Sequence, residues 1–280
     1  MVAGISYDFP SRAVPAVFNG GFMRSKVLRA VLGLGLLCSS VLAVVPVHAA
    51  SDAGGVIGTP MPRDEQISIV AAGNNLGSAL GPVRTGLKDG GAYRQYQRGF
   101  VVYSQSTGAQ VSRGAIRTAY GKLGYENGRL GYPTMLEGIL SGITFQTYQG
   151  GTIAWTSHGG AHALVGAIRT KWEADLWAGT ATLGAPVSDE VTGLRGGGAT
   201  QSFRRGAIVW SPWTGAQESK GAIRTAWLKA GAQNGSLGYP LTGELIDPDG
   251  RRMQKFQGGQ IIWSAEDGAV VQVATPHASF

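Results

Sequence analysis

The pentapeptide Gly-Ala-Ile-Arg-Thr stands at Gly114, Gly166 and Gly221, 52 and 55 residues apart, and each copy opens a stretch that closes in the same way. Recurrence over that length marks a structural unit used several times rather than local low complexity. A unit of about 50 residues cannot bury its own apolar face, so neighbouring units have to pack on one another. The chain is thereby confined to a repeat array or a propeller-like ring.

A second landmark follows each pentapeptide: Leu130-Gly131-Tyr132-Pro133, Leu183-Gly184-Ala185-Pro186 and Leu237-Gly238-Tyr239-Pro240. A third reads Gly-x-Ile-x-Trp at Gly151–Trp155, Gly206–Trp210 and Gly259–Trp263, with Gly-Ala after it at Gly160, Gly215 and Gly268. The same tail occurs earlier as Gly99, Val101, Tyr103 and Gly108, preceded by Leu80-Gly81-Pro82. Four units result, at about 66–113, 114–165, 166–220 and 221–272, the first shortened and without the pentapeptide.

Within a unit the apolar period changes. Ile116, Ala119, Tyr120 and Leu123 fall at i, i+3, i+4 and i+7, one face of a short helix. Ile223, Ala226, Trp227 and Ala230 repeat the pattern, and Ile168 with Trp172 keeps its centre. Glycine-rich turns at Tyr125–Gly128 and Gln233–Gly235 end the helices, as left-handed caps do. Beyond Leu-Gly-x-Pro the period falls to two: Tyr148, Ile153 and Trp155, like Phe203, Ile208 and Trp210, flank a tight glycine turn and signal a hairpin. The 45 glycines fit a chain with many tight turns.

These landmarks resemble the LGFP repeat family over about residues 66–272, the Leu-Gly-Phe-Pro turn reading here Leu-Gly-Tyr-Pro twice, Leu-Gly-Ala-Pro once and Leu-Gly-Pro once. The resemblance implies a secreted actinobacterial protein. In that family such repeats are often appended to cell-wall enzymes such as mycoloyltransferases or amidases, and hold them to envelope polysaccharide. It also implies a fold: an α+β repeat protein forming a propeller-like, pseudo-symmetric ring of four units, each a short helix plus two or three short antiparallel strands. The lack of any long unrepeated segment argues against a separate catalytic domain in this sequence.

Arg24, Lys26 and Arg29 precede an apolar run from Ala30 to Val45 and then Pro46, Val47, His48 and Ala49, the three-part pattern of a secretory signal peptide over residues 1–49. Met23 is a second candidate start. A flexible segment at 50–65 and a tail at 273–280 are expected to flank the repeats. Cys38, the single cysteine, falls inside the signal, so the exported chain folds without disulfides or thiolate ligands. The formal charge is +7, and removing residues 1–49 leaves about +4 with signs interspersed, which does not suit a nucleic-acid binder.

Trp155, Trp210 and Trp263, with Tyr103, recur in step and are read as core. The variable aromatics are the better ligand candidates: Tyr132 and Tyr239 in exposed turns, and Trp213 in the loop after Trp210. Arg117, Arg169 and Arg224 recur, as do Glu137, Glu190 and Glu244. Their regularity suggests a bidentate ion pair within each unit, tying helix start to turn, with a repeated polysaccharide site lined by the arginines or the glutamates as the alternative. His158 and His162 are the closest approach to a metal pair, but Gly159 and Gly160 break the helix that would align them, so neither metal nor cofactor is expected. No nucleophile elbow or phosphate loop occurs, and Glu126, Asp189 and Asp247 have no context that marks them as glycosidase acids.

The resulting expectation is a non-catalytic extracellular module, associated with the cell wall and binding arabinogalactan or peptidoglycan through repeated weak sites, without stable membrane insertion. A scaffold for an envelope enzyme or other envelope protein is the alternative, and a cell-wall hydrolase a third.

Overall fold

The computed structural model describes residues 60–274, so the expected signal peptide, the residues up to 59 and the end of the tail lie outside it. The described chain repeats one order four times: a helix, the Leu-Gly turn and an antiparallel four-stranded meander. The first repeat comprises α1 (Arg63–Gly73), β1 (Arg84–Thr85), β2 (Ala92–Tyr96), β3 (Gly99–Ser104) and β4 (Gly108–Ser112). The second comprises α2 (Gly114–Lys122), β5 (Gly138–Leu140), β6 (Ile143–Tyr148), β7 (Gly151–Thr156) and β8 (Gly160–Leu164). In the third these are α3 (Gly166–Trp177), β9 (Val191–Leu194), β10 (Gly198–Phe203), β11 (Gly206–Ser211) and β12 (Gly215–Lys220). The fourth is α4 (Gly221–Lys229), β13 (Leu245–Ile246), β14 (Arg252–Phe256), β15 (Gly259–Ser264) and β16 (Gly268–Val273).

Each unit thus has four strands, not two or three. The additional strand, β1, β5, β9 or β13, is only two to four residues long and largely exposed, so it carries no alternating apolar signal.

The helices are held by two side chains one turn apart. Ile67, Ile116, Ile168 and Ile223 are buried, and four residues later so are Ala71, Tyr120, Trp172 and Trp227. Three of the latter reach the turn: Tyr120 Oη donates to the Gly131 carbonyl at 2.8 Å, and Trp172 Nε1 and Trp227 Nε1 donate to Gly184 and Gly238 at 2.9 Å. A long apolar body with a polar tip is what this position requires, which explains why tyrosine and tryptophan interchange there.

The first repeat is complete. Its helix begins at Arg63, three residues inside the segment expected to be flexible, and follows Pro62, an extended residue (φ −55°, ψ 142°) at the N-cap. The pentapeptide glycines, by contrast, sit at φ of 54–57° where a strand of the preceding sheet runs straight into a helix. Pro60–Pro62, directly before α1, are not part of a strand, so α1 has no need of that glycine.

Its turn is also displaced from the expected Leu80-Gly81-Pro82. Ala79 bridges Tyr96 as Pro133, Pro186 and Pro240 bridge Tyr148, Phe203 and Phe256, so Leu76-Gly77-Ser78-Ala79 is the equivalent landmark. Gly77, Gly131, Gly184 and Gly238 all have φ between 64 and 79°.

Each sheet is hydrogen-bonded only within itself among the described residues, and side chains join one sheet to the next. The propeller-like ring is not established: on β16, Val270, Val271 and Val273 stay 43%, 38% and 53% exposed, whereas closure onto the first repeat would cover them.

Candidate functional site

Three kinds of side chain gather where each of the last three repeats meets the one before it. The first is a glutamine in the strand after the turn. Gln146, Gln201 and Gln254 are fully buried, and each Nε2 donates twice. The acceptors are Val111 O (2.7 Å) and Met135 O (2.9 Å) for Gln146, and Ala163 O (3.0 Å) and Ser188 O (2.9 Å) for Gln201. For Gln254 they are Glu218 O (2.6 Å) and Thr242 O (2.7 Å). One acceptor lies in the last strand of the preceding sheet and the other in the repeat's own turn, so one amide fixes the spacing of two units. In the first repeat the position is Arg94, whose Nε keeps the contact to its own turn, at Gly81 O (2.9 Å).

The second kind is the variable residue of Leu-Gly-x-Pro, which plugs into the preceding sheet. Tyr132 and Tyr239, expected in exposed turns, are 1% and 3% exposed. Their hydroxyls donate to Lys88 O at 2.5 Å and to Arg195 O at 2.6 Å. Burial pushes the Tyr132 hydroxyl up to about 12, and that of Tyr239 up as well. The rings fit because Gly91 and Gly198 line their sockets, where a Cβ would lie 2.1 and 2.2 Å from the respective hydroxyl oxygens. At the middle junction the plug is the small Ala185, and the corresponding wall residue is Ile143, in the same core cluster. Large and small residues are therefore matched across all three junctions, and these tyrosines are unavailable to a ligand.

The third kind is charged. Glu137, Glu190 and Glu244 have side chains only 15%, 13% and 12% exposed, and each has an arginine. The partners are not Arg117, Arg169 and Arg224. They are Arg113 (3.2 Å), Arg129 (3.5 Å) and Arg252 (3.2 Å), supplied from three different places in the repeat. At the last junction these groups line a groove of about 490 Å³ with Thr182, Arg205, Lys220 and Gly221.

The pentapeptide arginines are partly buried and differently engaged. Arg117 lies 3.4 Å from the centroid of Phe100 and 5.0 Å from that of Tyr125, and donates to Ser112 Oγ at 3.3 Å. Arg169 pairs with Glu173 in its own helix at 2.8 Å. Burial lowers the pKa of Arg117 and Arg224 from the usual arginine value.

Trp213 is placed otherwise. It is 69% exposed, in the β11–β12 loop at the opposite end of the sheet from the groove. Its ring lies over Gly196, where a Cβ would come within 2.5 Å of Cζ3, and Gly196 has φ of 64°. Beside it Arg195 is anchored by Nη1 to Gln233 O (3.3 Å) and by its own carbonyl to Tyr239. The indole is thus held against backbone while most of its surface faces solvent. Ser106, His158 and Glu266 occupy the matching loop position in the other repeats, so the platform belongs to the third alone.

Trp155, Trp210, Trp263 and Tyr103 pack against the core clusters of their repeats, as expected. Among the described residues no three His, Cys, Asp or Glu side chains gather as a metal would need, and no helix is long and apolar enough to cross a membrane.

A family model for the LGFP repeat matches residues 76–128, 130–179, 183–235 and 237–274, and the chain belongs to that family, a repeat module of envelope-associated proteins. The matched stretches start at the four Leu-Gly turns, including Leu76. In that frame each repeat passes its helix to the next sheet: α2 packs on β7 and β8, and α3 on β11 and β12. No curated protein matches the chain. Among solved structures it is similar to virginiamycin B lyase from Staphylococcus aureus, at 10% identity and a TM-score of 0.14, over 70% of this chain and 55% of that one. It is also similar to the extracellular domain of a one-component system from B. thetaiotaomicron, at 13% identity and a TM-score of 0.16, over 71% and 24% of the two chains. The chain thus spans about half or less of the structures it matches.

Proposed function

We propose that the chain is a non-catalytic, exported module that holds polysaccharide of the cell envelope, with Trp213 as the principal contact. The observation that carries this reading is the indole of Trp213, seated on Gly196 and open to solvent beside Arg195. A rigid aromatic plane offers a sugar ring an apolar surface at little entropic cost, and a neighbouring guanidinium supplies donors to hydroxyls or acidic groups. Membership of an envelope-associated family supports it. The Glu–Arg pairs at the junctions, with the groove at Glu244 and Arg252, are weaker secondary contacts through which one polymer gains avidity.

Co-sedimentation of the purified protein with protein-free cell walls tests the reading. Binding without release of fragments is expected, with Trp213→Ala weakening it about tenfold, or 1.4 kcal/mol. Absence of binding would favour a protein scaffold, and released sugars or peptides a hydrolase.

A further inference from the structure

The three internal junctions share one design, and the two ends of the array each carry half of it. At the C-terminal end, Val271 holds the position in β16 that Val111, Ala163 and Glu218 hold in β4, β8 and β12, the residues whose carbonyls accept from the buried glutamines. Val111 and Ala163 are 1% and 4% exposed, packed in core clusters with the helices of their own repeats and, for Val111, with Leu136 of the next, while Val271 stays open with Val270 and Val273 around it.

At the N-terminal end, Arg94 replaces the glutamine, and among the described residues its one side-chain hydrogen bond is from Nε to its own turn, with the guanidinium 5.7 Å from the Tyr96 ring centroid. That leaves the Nη groups to perform the glutamine's other task, donation to the preceding strand. Exposed Leu80 and Pro82 flank the Gly81 carbonyl and give this face an apolar rim.

Plug and socket also match across the ends. The plug of the first repeat is the small, exposed Ser78, and the socket position of the last sheet is the large Arg251, held by Asp247 and Asp249 at 2.8 Å each. Small against large is the pairing that Ala185 and Ile143 make within the chain.

We infer that the chain associates head to tail with a second copy of itself. The first repeat of one copy packs on β16 of the next, burying the valines and placing the Arg94 guanidinium against the Val271 carbonyl. Such a contact is heterologous and extends into a ring or filament, depending on the rotation between copies.

Sedimentation velocity of the purified chain over a range of concentrations tests this. Dimers and longer multiples are expected to grow with concentration. Val271→Asp and Ser78→Tyr should each weaken association at least tenfold, while Arg94→Gln, which installs the residue used internally, should preserve it. All three sites are solvent-accessible, and far-UV circular dichroism verifies the fold of each variant. A mixture of Val271→Asp and Ser78→Tyr chains retains one good face of each kind and should yield dimers but nothing longer. A wild-type chain that stays monomeric throughout would overturn the inference. So would association lost in Val271→Asp but intact in Ser78→Tyr, which would mean a tail-to-tail dimer.

Discussion

Replacing Gln201 by leucine removes one side chain of nearly equal size and two hydrogen bonds, at 3.0 and 2.9 Å, that join β10 to β8 and to its own turn. The site is fully buried, so water cannot replace the amide. Two lost bonds at about 0.5–1.5 kcal/mol each, plus the cost of leaving buried carbonyls without a donor, give about 2–4 kcal/mol. The lower part of that range is favoured by a feature of the wild type: Gln201 Oε1 is itself buried without a partner, and leucine relieves that burden. Urea unfolding followed by tryptophan fluorescence reads the loss, with a fall in melting temperature of about 5–15 °C for a domain of this size. Because the amide spans two repeats, the variant should also broaden the transition, with repeats 1–2 and 3–4 separating in stability. A change under about 0.5 kcal/mol with an unbroadened transition would refute the view that these glutamines hold the array together.

In the second repeat Tyr148 Oη donates to Gln146 Oε1 at 3.0 Å, whereas Phe203 leaves Gln201 Oε1 unpaired; Phe203→Tyr should therefore raise stability by about 1 kcal/mol in the same urea assay. Ala185→Tyr should destabilise by about 1–3 kcal/mol because Ile143 fills the socket, and Ile143→Gly in the same chain should recover part of it, as a double-mutant cycle measures. Gly196→Ala should displace Trp213 and weaken wall binding by about as much as Trp213→Ala, roughly tenfold, while costing about 1–2 kcal/mol of stability. Burial pushes the Asp175 carboxyl up, but hydrogen bonds from Thr180 Oγ1, Thr182 Oγ1 and the Thr182 amide outweigh it and leave the pKa below the usual aspartate value. The stabilisation is therefore present above about pH 4 and lost as pH falls through the folded-state value, so the gap between wild type and Asp175→Asn should close over that window in pH-dependent thermal melts.

The recurring apolar positions were readable because they serve the same purpose in every repeat. Ile116, Ile168 and Ile223 with Tyr120, Trp172 and Trp227 announce the helix face, and Gly-x-Ile-x-Trp announces the hairpin. The junctions were not, because they join residues of different repeats. The Tyr132 ring is buried only because Gly91, in the sheet before, leaves it a socket, and nothing local to the turn says so. The glutamates keep one place while their arginines come from three, so an alignment pairs them with the wrong recurring cation. Gln146, Gln201 and Gln254 do recur in register, and a polar residue at a fixed place in an apolar strand was the available clue. The first helix escaped notice because it lacks the glycine needed only where a strand feeds a helix. Trp213 is the one candidate site residue left exposed, and it was legible because it breaks the repeat instead of obeying it.

The central claim is that envelope polysaccharide is held on the Trp213 platform. Amide hydrogen exchange of the intact protein, with and without solubilised wall polysaccharide, tests it most directly. Slowed exchange is predicted at 195–198 and 211–215, with smaller effects along the groove at Glu244 and Arg252. Protection confined to other surfaces of a protein that has bound the polymer would contradict it.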